Sequence, residues 1–149
     1  MHNGLSENDR TLRDERILIE TNKGNNMNES DTRIHKIDPQ LKAAGWSVVE
    51  GSHISTEYRI TRGKISQSVK MKGKKADYLL LYRGQRMAVV EAKADEVGYQ
   101  EGVMQAIEYA EMLDIRYTYA TDGDRIWQID RTTGAQGFVD AFPSPEELW

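Results

Sequence analysis

The chain has 149 residues, no cysteine and a formal net charge of −4, and this length suits one domain with a single sizeable core. Disulfide-bonded and cysteine-ligated zinc scaffolds are excluded, and no apolar run approaches the ~20 residues of a membrane span. We therefore expect a cytoplasmic protein with no membrane partner.

The first residues differ in composition from the rest of the chain. Residues 1–28 are polar and rich in Asn, Asp, Glu and Arg, so they cannot bury much apolar surface. We predict a flexible or only locally helical arm over residues 1–28, followed by one domain over residues 29–142. Residues 143–149 contain two prolines and are predicted to begin a linker.

A helix is predicted near the start of the domain, because apolar residues recur there at helical spacing: Ile34, Ile37 and Leu41. Ser30 or Asp31 is the expected N-cap, and Gly45 the expected C-terminal cap. Pro39 lies inside this span. It is expected either to kink the helix or to start a second short helix capped by Asp38.

A basic segment follows two short predicted strands at residues 46–50 and 53–60. Residues 59–75 contain no acid and carry seven cations: Arg59, Arg62, Lys64, Lys70, Lys72, Lys74 and Lys75. Gly63 could turn the chain into residues 64–71 and form a basic hairpin. Such a local excess of positive charge is typical either of a solvated hairpin or of contacts with phosphates, and we favour nucleic-acid binding.

The central stretch, residues 74–93, contains two apolar runs separated by Arg83-Gly84-Gln85, which predicts a β-hairpin with a three-residue loop. Side-chain alternation then sets Asp77 opposite Glu91, with Cβ atoms roughly 5 Å apart, and Lys93 continues the same face. Two such carboxylates repel each other unless a cation lies between them, and hard oxygen ligands suit Mg²⁺ or Mn²⁺. A solvated hairpin can also end in Glu-x-Lys, and a loop of two or four residues would separate the carboxylates.

A second helix is predicted over about residues 98–113, with Gln105 and Tyr109 one turn apart on the flank of its apolar stripe. Two further strands are predicted at residues 116–120 and 125–130 around a turn-rich stretch. The order strand, hairpin, helix, strand indicates an α/β fold with a mixed central sheet flanked by helices.

The order and spacing of three motifs resemble the PD-(D/E)xK nuclease superfamily in its QxxxY branch: Asp77, Glu91-Ala92-Lys93 and Gln105-x-x-x-Tyr109. More closely, residues 29–148 resemble the N-terminal endonuclease domain of the restriction (motor) subunit of type I restriction-modification enzymes. Other similar motifs are Thr32-Arg33, Ile37-Asp38, Ala44-Gly45-Trp46 and Phe142-Pro143-x-Pro145-x-x-Leu148. Ala76 stands where the superfamily name has Pro, a departure that does not touch the ligands.

The resemblance implies a restriction-endonuclease-like core and a Mg²⁺- or Mn²⁺-dependent endonuclease that hydrolyses double-stranded DNA. Asp77 and Glu91 would hold the metal, and Lys93 would position or activate the attacking water. Gln105 and Tyr109 would steady the site and the DNA backbone, although a polar helix flank gives the same pattern. Glu29 would be a further metal ligand or an ordinary first-turn acid favoured by the helix dipole.

No Gly-x-x-x-x-Gly-Lys-Ser/Thr motif is present, so ATP would be needed only by a motor in the full-length subunit. That longer chain would also bring the modification and specificity subunits as partners. A histidine metal site is not expected, because the histidines show no ligand spacing: His2, His35 and His53. The alternatives are a nuclease-fold module that binds DNA or assembles complexes without cleaving, and a junction resolvase or phage exonuclease of the same superfamily.

Overall fold

The computed structural model describes residues 27–59, 75–94 and 98–149. Within these ranges six strands form one sheet in the order β1 to β6: β1 (Ser52–Arg59), β2 (Lys75–Tyr82), β3 (Gln85–Ala92), β4 (Tyr117–Thr121), β5 (Ile126–Asp130) and β6 (Gln136–Val139). Neighbouring strands are antiparallel except β3 and β4, which are parallel. The predicted mixed α/β sheet is confirmed.

The described part of the chain also contains four α-helices and one π-helical turn: α1 (Glu29–Thr32), the π-turn (Arg33–Ile37), α2 (Asp38–Ala43), α3 (Gln100–Leu113) and α4 (Pro145–Leu148). Helix α3 forms the crossover between the parallel strands β3 and β4, which cannot be joined by a tight turn. No helix in the described ranges is long and apolar enough to cross a membrane.

The cap of α1 differs from the prediction. Asn28 has an extended backbone and its side chain accepts a hydrogen bond from the Asp31 N–H at 2.8 Å, so Asn28 is the N-cap. Ser30 and Asp31 therefore lie inside the first turn instead of capping it. The predicted C-terminal end is confirmed, because Gly45 follows the last helical residues with a φ of 108°, a value that favours glycine.

The π-turn explains how one helical run accommodates Pro39. Helix α2 starts at Asp38, with Ile37 as its N-cap residue, and the Asp38 N–H bonds to the Arg33 carbonyl across the wider turn. Proline has no N–H of its own, and a wide turn just before it absorbs that loss. The extra residue also rotates Ile34 off the apolar stripe, which leaves it 57% exposed instead of in the core.

The strand predicted at residues 46–50 is wrong, because these residues form turns and Ser47 has a φ of 64°. Trp46 is fully buried, and its Nε1–H donates a hydrogen bond to the Pro143 carbonyl at 2.9 Å. The apolar character of this stretch reflects one anchoring side chain instead of an alternating strand.

The turn between β2 and β3 contains two residues, Arg83 and Gly84, so the predicted three-residue loop is wrong. Both residues have positive φ, 50° and 76°, the combination of a type I′ turn whose twist matches the flanking strands. Gln85 belongs to β3 and pairs with Tyr82.

A β-bulge restores the register that the longer loop would have produced. Beyond Leu81, strand β3 advances by one extra residue against β2. Tyr78 consequently pairs with Val90, so the next residues along the ladder, Asp77 and Glu91, lie opposite each other. The predicted facing of the two carboxylates is confirmed by a different route.

The sheet buries one apolar cluster on each face. The cluster under α2 and α4 includes Ile37, Leu41, Trp46, Tyr78, Leu80, Val90, Phe142 and Leu148. The cluster under α3 includes Leu79, Val89, Ala106, Tyr109, Ala110 and Ile115. Because side chains alternate along a strand, Asp77 and Glu91 share the face of the second cluster, beneath α3.

Three predictions fall mainly outside the described residues: the basic hairpin at residues 64–71, most of the arm at residues 1–28, and the cations between residues 60 and 74. The division into an arm, a domain and a linker stays a prediction. Within the predicted linker, Ser144 and Glu147 form a capping box that starts α4.

Candidate active site

Asp77 and Glu91 are fixed by hydrogen bonds that cross between their strands. The Asp77 N–H donates to Glu91 Oε1 at 3.1 Å, and the Ala92 N–H donates to Asp77 Oδ2 at 2.9 Å. Each carboxylate thus accepts a hydrogen bond from a backbone N–H of the opposite strand. The Asp77 side chain is 15% exposed and Glu91 is 2% exposed, so the pair is largely withdrawn from water.

The protonation of Glu91 reflects this environment. The pKa of Glu91 is raised to about 9, first by burial and then by the neighbouring Asp77 charge and a hydrogen bond with the Asp77 side chain, while the hydrogen bond from the Asp77 backbone and the Lys93 ammonium oppose the shift. Without a metal ion, the pair of carboxyl groups therefore keeps a proton at neutral pH, and Glu91 is its favoured site. A divalent cation between the carboxylates would replace that proton.

Lys93 follows the end of β3 and is nearly buried, with 9% exposure. Its backbone N–H donates to the Thr121 carbonyl at 2.9 Å, which keeps it attached to β4. The Lys93 ammonium lowers the pKa of Glu91 and of Glu29, although burial leaves both pKa values above normal. The cation therefore lies within electrostatic range of both carboxyl groups.

Gly102 brings α3 into close contact with the site. A Cβ built at Gly102 would lie 3.4 Å from the Lys93 Cγ, 3.4 Å from the Ala120 Cβ and 3.5 Å from the Glu91 Cβ. Ala120 pairs with Glu91 in the sheet, so Gly102 of α3 lies directly above this pair of residues. Sequence reasoning missed Gly102; its signal was a glycine inside an otherwise regular amphipathic helix.

Tyr109 combines packing with proximity to the carboxylates. It is 8% exposed and belongs to the apolar cluster under α3. The pKa of Tyr109 is raised to about 12, first by burial and then by the charges of Glu91 and Asp77. Its ring is thus part of the core, while its hydroxyl lies within electrostatic range of the pair. Gln105 is partly buried one turn earlier on α3, and its role stays a prediction.

Glu29, the first residue of α1, is electrostatically linked to the pair. Burial raises the pKa of Glu29, the Asp77 charge raises it further, and Lys93 and Arg33 lower it. Complementing the helix dipole does not by itself require Asp77, Lys93 and Arg33 to lie near Glu29. The structure therefore brings Glu29 near the site, and its role as a ligand stays a prediction.

Arg33 is a site residue to which the sequence assigned no role. Its Nη1 lies 3.4 Å from Asp77 Oδ1, and its Nη2 lies 3.6 Å from Glu57 Oε1. Thr32-Arg33 belongs to the motifs that carry the family resemblance, but the contact with Asp77 spans 44 positions in the sequence. Only the tertiary fold brings these two residues together.

The donor set is compatible with Mg²⁺ or Mn²⁺ and not with a closed protein cage. Among the described residues, no three His, Cys, Asp or Glu side chains converge closely enough to hold a metal ion. Mg²⁺ usually keeps several waters and binds one or two carboxylates together with substrate phosphates. Asp77 and Glu91 supply such a pair, because each carboxylate oxygen has a second lone pair besides the one that accepts a backbone N–H.

Of the seven predicted DNA-contacting cations, only Lys75 has a described side chain. It is 42% exposed, and its Nζ lies 4.0 Å from Glu57 Oε2. The others lie in the undescribed range or, for Arg59, have no described side chain: Arg59, Arg62, Lys64, Lys70, Lys72 and Lys74. DNA binding by this segment stays a prediction.

Two known proteins are similar to this chain over most of its length, and no family model matches it. The type I restriction enzyme EcoAI endonuclease subunit of Escherichia coli is 35% identical over 136 aligned residues, which cover 83% of this chain. The chain spans only 16% of the length of that relative.

A solved structure shows the same likeness in three dimensions. It is the fragment structure of a putative HsdR subunit of a type I restriction enzyme from Vibrio vulnificus, and it shares 36% sequence identity with a TM-score of 0.73. The match covers 83% of this chain and 25% of the solved chain. The restriction-endonuclease-like α/β fold expected from the sequence is thereby confirmed.

Proposed function

Since the chain is homologous over 83% of its length to part of the endonuclease subunits of type I restriction enzymes, we propose that it is a DNA-cleaving domain of such a subunit. The reaction would be the hydrolysis of phosphodiester bonds in double-stranded DNA, with Mg²⁺ or Mn²⁺ as cofactor. One observation carries this proposal: the buried carboxyl group of Glu91 and the partly buried carboxyl group of Asp77 face each other beside the Lys93 side chain.

In this proposal Asp77 and Glu91 form the metal-binding pair, with Glu29 as a further candidate. When bound, the divalent ion would supply Lewis acidity and neutralise negative charge that develops on the phosphate. Before it binds, Glu91 must lose the proton that burial and Asp77 favour, because only the carboxylate form is a good ligand.

Lys93 would act on the attacking water and on the scissile phosphate. An ammonium offers three N–H donors and no acceptor, so it can orient a water oxygen and stabilise a phosphate oxygen at the same time. Helix α3 passes so near the Lys93 stem that a Cβ added at Gly102 would lie 3.4 Å from the Lys93 Cγ, and this proximity limits the positions that the side chain can take. Lys93 would therefore be preorganised before DNA binds.

Tyr109 and Gln105 would support the site from α3. The phenol of Tyr109 is protonated at neutral pH, as an ordinary tyrosine is, and its pKa of about 12 extends this form to higher pH. The hydroxyl can therefore donate a hydrogen bond to a phosphate or carboxylate oxygen. Because its ring is packed in the core, that donor is held by the fold rather than by a flexible loop. Gln105 would add an amide donor one turn earlier.

The wider setting is also proposed from the relatives. Type I restriction subunits act in multi-subunit complexes on DNA, and this chain spans 16% of one such subunit. The ATP-dependent motor and the contacts to modification and specificity subunits would therefore belong to the longer protein. A cytoplasmic location accords with this role.

A second candidate is a module that binds DNA or its partners without cleaving. One observation favours it: Asp77 is already paired with Arg33, whose Nη1 lies 3.4 Å from Asp77 Oδ1. The two candidates differ in whether Asp77 and Glu91 bind a metal ion at all.

Cleavage by the assembled restriction complex tests the proposal. Asp77→Ala, Glu91→Ala and Lys93→Ala in the full-length subunit should each lower DNA cleavage by at least about a hundredfold while leaving ATP hydrolysis intact. Glu50→Gln, a change at an exposed acid, is the matched control and should cleave normally. Full cleavage by the Lys93→Ala complex would contradict the assignment.

A further inference from the structure

One exposed carboxylate, that of Glu57, lies between two cations at the edge of the site. Its Oε1 lies 3.6 Å from Arg33 Nη2, and its Oε2 lies 4.0 Å from Lys75 Nζ. The Glu57 side chain is 56% exposed, whereas the Arg33 side chain is only 22% exposed. The arrangement is an anion between a guanidinium and an ammonium, which is also how proteins bind a phosphate.

Glu57 occupies this place at a cost in backbone conformation. It lies in the middle of β1, between the pairs Thr56–Tyr78 and Tyr58–Ala76, so it is opposite Asp77. Its φ is 50°, in the left-handed region that residues with a Cβ rarely adopt. Strain of this kind within a strand persists where the surrounding structure imposes it, and it is found preferentially at ligand sites.

The contacts that hold Glu57 are weak. Both ion pairs are longer than the 2.7–2.9 Å range of strong N⁺–H···O⁻ bonds, and water screens a half-exposed pair, so such pairs contribute little to stability. Arg33 is likewise 3.4 Å from Asp77 Oδ1. Within the described part of the chain, the five N–H donors of Arg33 are therefore only loosely engaged, and another anion could replace Glu57 at little cost.

There is room for such an anion. A cavity of about 160 Å³ opens beside Arg33, Glu57 and Thr56. A water molecule takes about 30 Å³ in the liquid, so this space holds a phosphate group with some of its hydration. Arg33, which lines this cavity, also contacts the Asp77 carboxylate.

We propose that Arg33 and Lys75 form a phosphate-binding site beside Asp77, in which the Glu57 carboxylate stands in for a DNA phosphate until DNA displaces it. This inference rests on the proposed nuclease function, adds Arg33 to the residues that touch the substrate, and gives the predicted contact Lys75 a defined place. Arg33 binds one phosphate of the DNA backbone with its planar fork, and Glu57 is released to solvent. DNA binding at this edge is then opposed by Glu57 and driven by Arg33.

The direction in which the Glu57→Gln substitution changes DNA affinity tests this arrangement. Binding of the chain to a 20-base-pair DNA duplex is measured in EDTA, so that neither metal binding nor cleavage contributes. Glu57→Gln should tighten binding about three- to fivefold, because the competing ion pair is removed. Glu50→Gln, which removes the same charge from an exposed acid outside strand β1, should change binding by less than about twofold.

A double-mutant cycle shows whether the gain depends on Arg33. Arg33→Met keeps most of the aliphatic stem and removes the charge, so it should weaken DNA binding about tenfold. In the Arg33→Met background, Glu57→Gln should gain less than about twofold. Thermal unfolding of each variant checks the fold. If Arg33→Met fails to fold, the change in DNA affinity of Glu57→Gln alone tests the proposal.

Two outcomes would overturn the phosphate site: Glu57→Gln binds DNA no more tightly than Glu50→Gln does, or its gain is the same with Arg33 and with Met at that position. Failure of the nuclease function is distinguished separately. A coupled gain in DNA affinity without metal-dependent cleavage by the full subunit would retain the phosphate site and reject the nuclease. If cleavage by the full subunit depends on Asp77 but the gain in DNA affinity does not depend on Arg33, the nuclease function is retained and the phosphate site is rejected.

Discussion

The backbone N–H of Asp77 donates a hydrogen bond to the Glu91 carboxylate at 3.1 Å, while the Asp77 carboxylate accepts one from the residue after Glu91, Ala92, at 2.9 Å. The two side chains thereby complete the ladder between β2 and β3 where the strands end. Their separation is set by the sheet itself and not by flexible side chains. Backbone donors of this kind preorganise the two carboxyl groups.

The raised pKa of Glu91 predicts how the metal-free protein responds to pH. Its folded pKa of about 9 exceeds the ordinary 4.5, so the folded state binds the extra proton between these values. The contribution of Glu91 to stability is therefore fully present below pH 4.5 and is lost as pH rises towards about 9. The slope reaches at most about 1.4 kcal/mol per pH unit.

Glu91→Gln, which cannot titrate, should remove this slope. Thermal unfolding in EDTA between pH 5 and pH 9 measures it, and Glu50→Gln should retain the wild-type slope. An identical pH dependence in wild type and Glu91→Gln would show that the two carboxylates do not share a proton.

The contact between α3 and Lys93 predicts a graded response to side-chain size at Gly102. Alanine would place its Cβ 3.4 Å from the Lys93 Cγ, a tight contact that a few tenths of an ångström relieve. Gly102→Ala should therefore retain most cleavage activity and gain helix propensity. Gly102→Val should lower cleavage by at least about tenfold and destabilise the fold by about 1–3 kcal/mol.

Gly137→Ala is the matched control, because a Cβ at Gly137 in β6 meets nothing within 4 Å. Cleavage and melting temperature of the three variants are compared in the full-length subunit. Normal cleavage by Gly102→Val would mean that cleavage does not depend on the distance between α3 and the Lys93 side chain.

Two substitutions of Tyr109 should distinguish its contribution to core packing from its contribution to DNA cleavage. Tyr109→Phe keeps the ring in the α3 cluster and removes only the hydroxyl, so the melting temperature should be nearly unchanged while cleavage falls about tenfold. Tyr109→Ala should cost about 3–5 kcal/mol of stability as well, because the ring is buried. If Tyr109→Phe cleaves DNA normally, the role of Tyr109 is packing alone.

The facing of Asp77 and Glu91 could be predicted from the sequence, although the predicted loop was wrong. The pattern of apolar residues and a glycine identified the hairpin, and burial of one face demanded the register. The two-residue turn and the bulge beyond Leu81 compensate each other. A bulge is not marked by a particular residue type here, so the sequence could not reveal it.

Arg33 and Glu57 could not be assigned to the site from the sequence, because they come from different elements and reach Asp77 only in the tertiary fold. The same holds for Gly102, whose function depends on what lies beneath it. Residues 46–50 were misread for another reason: a short apolar run does not distinguish a strand from a turn that buries one tryptophan.

Calorimetric titration of Mn²⁺ or Mg²⁺ into the chain, with and without a DNA duplex, tests the central claim most directly. We predict saturable binding of metal to the wild type, stronger when DNA supplies phosphate ligands and accompanied by proton release that grows as pH is lowered from 9 towards neutrality. Asp77→Ala should abolish the binding heat, whereas Glu50→Gln should leave it unchanged. No metal binding with or without DNA, or equal binding by Asp77→Ala, would contradict a metal-dependent site at Asp77 and Glu91.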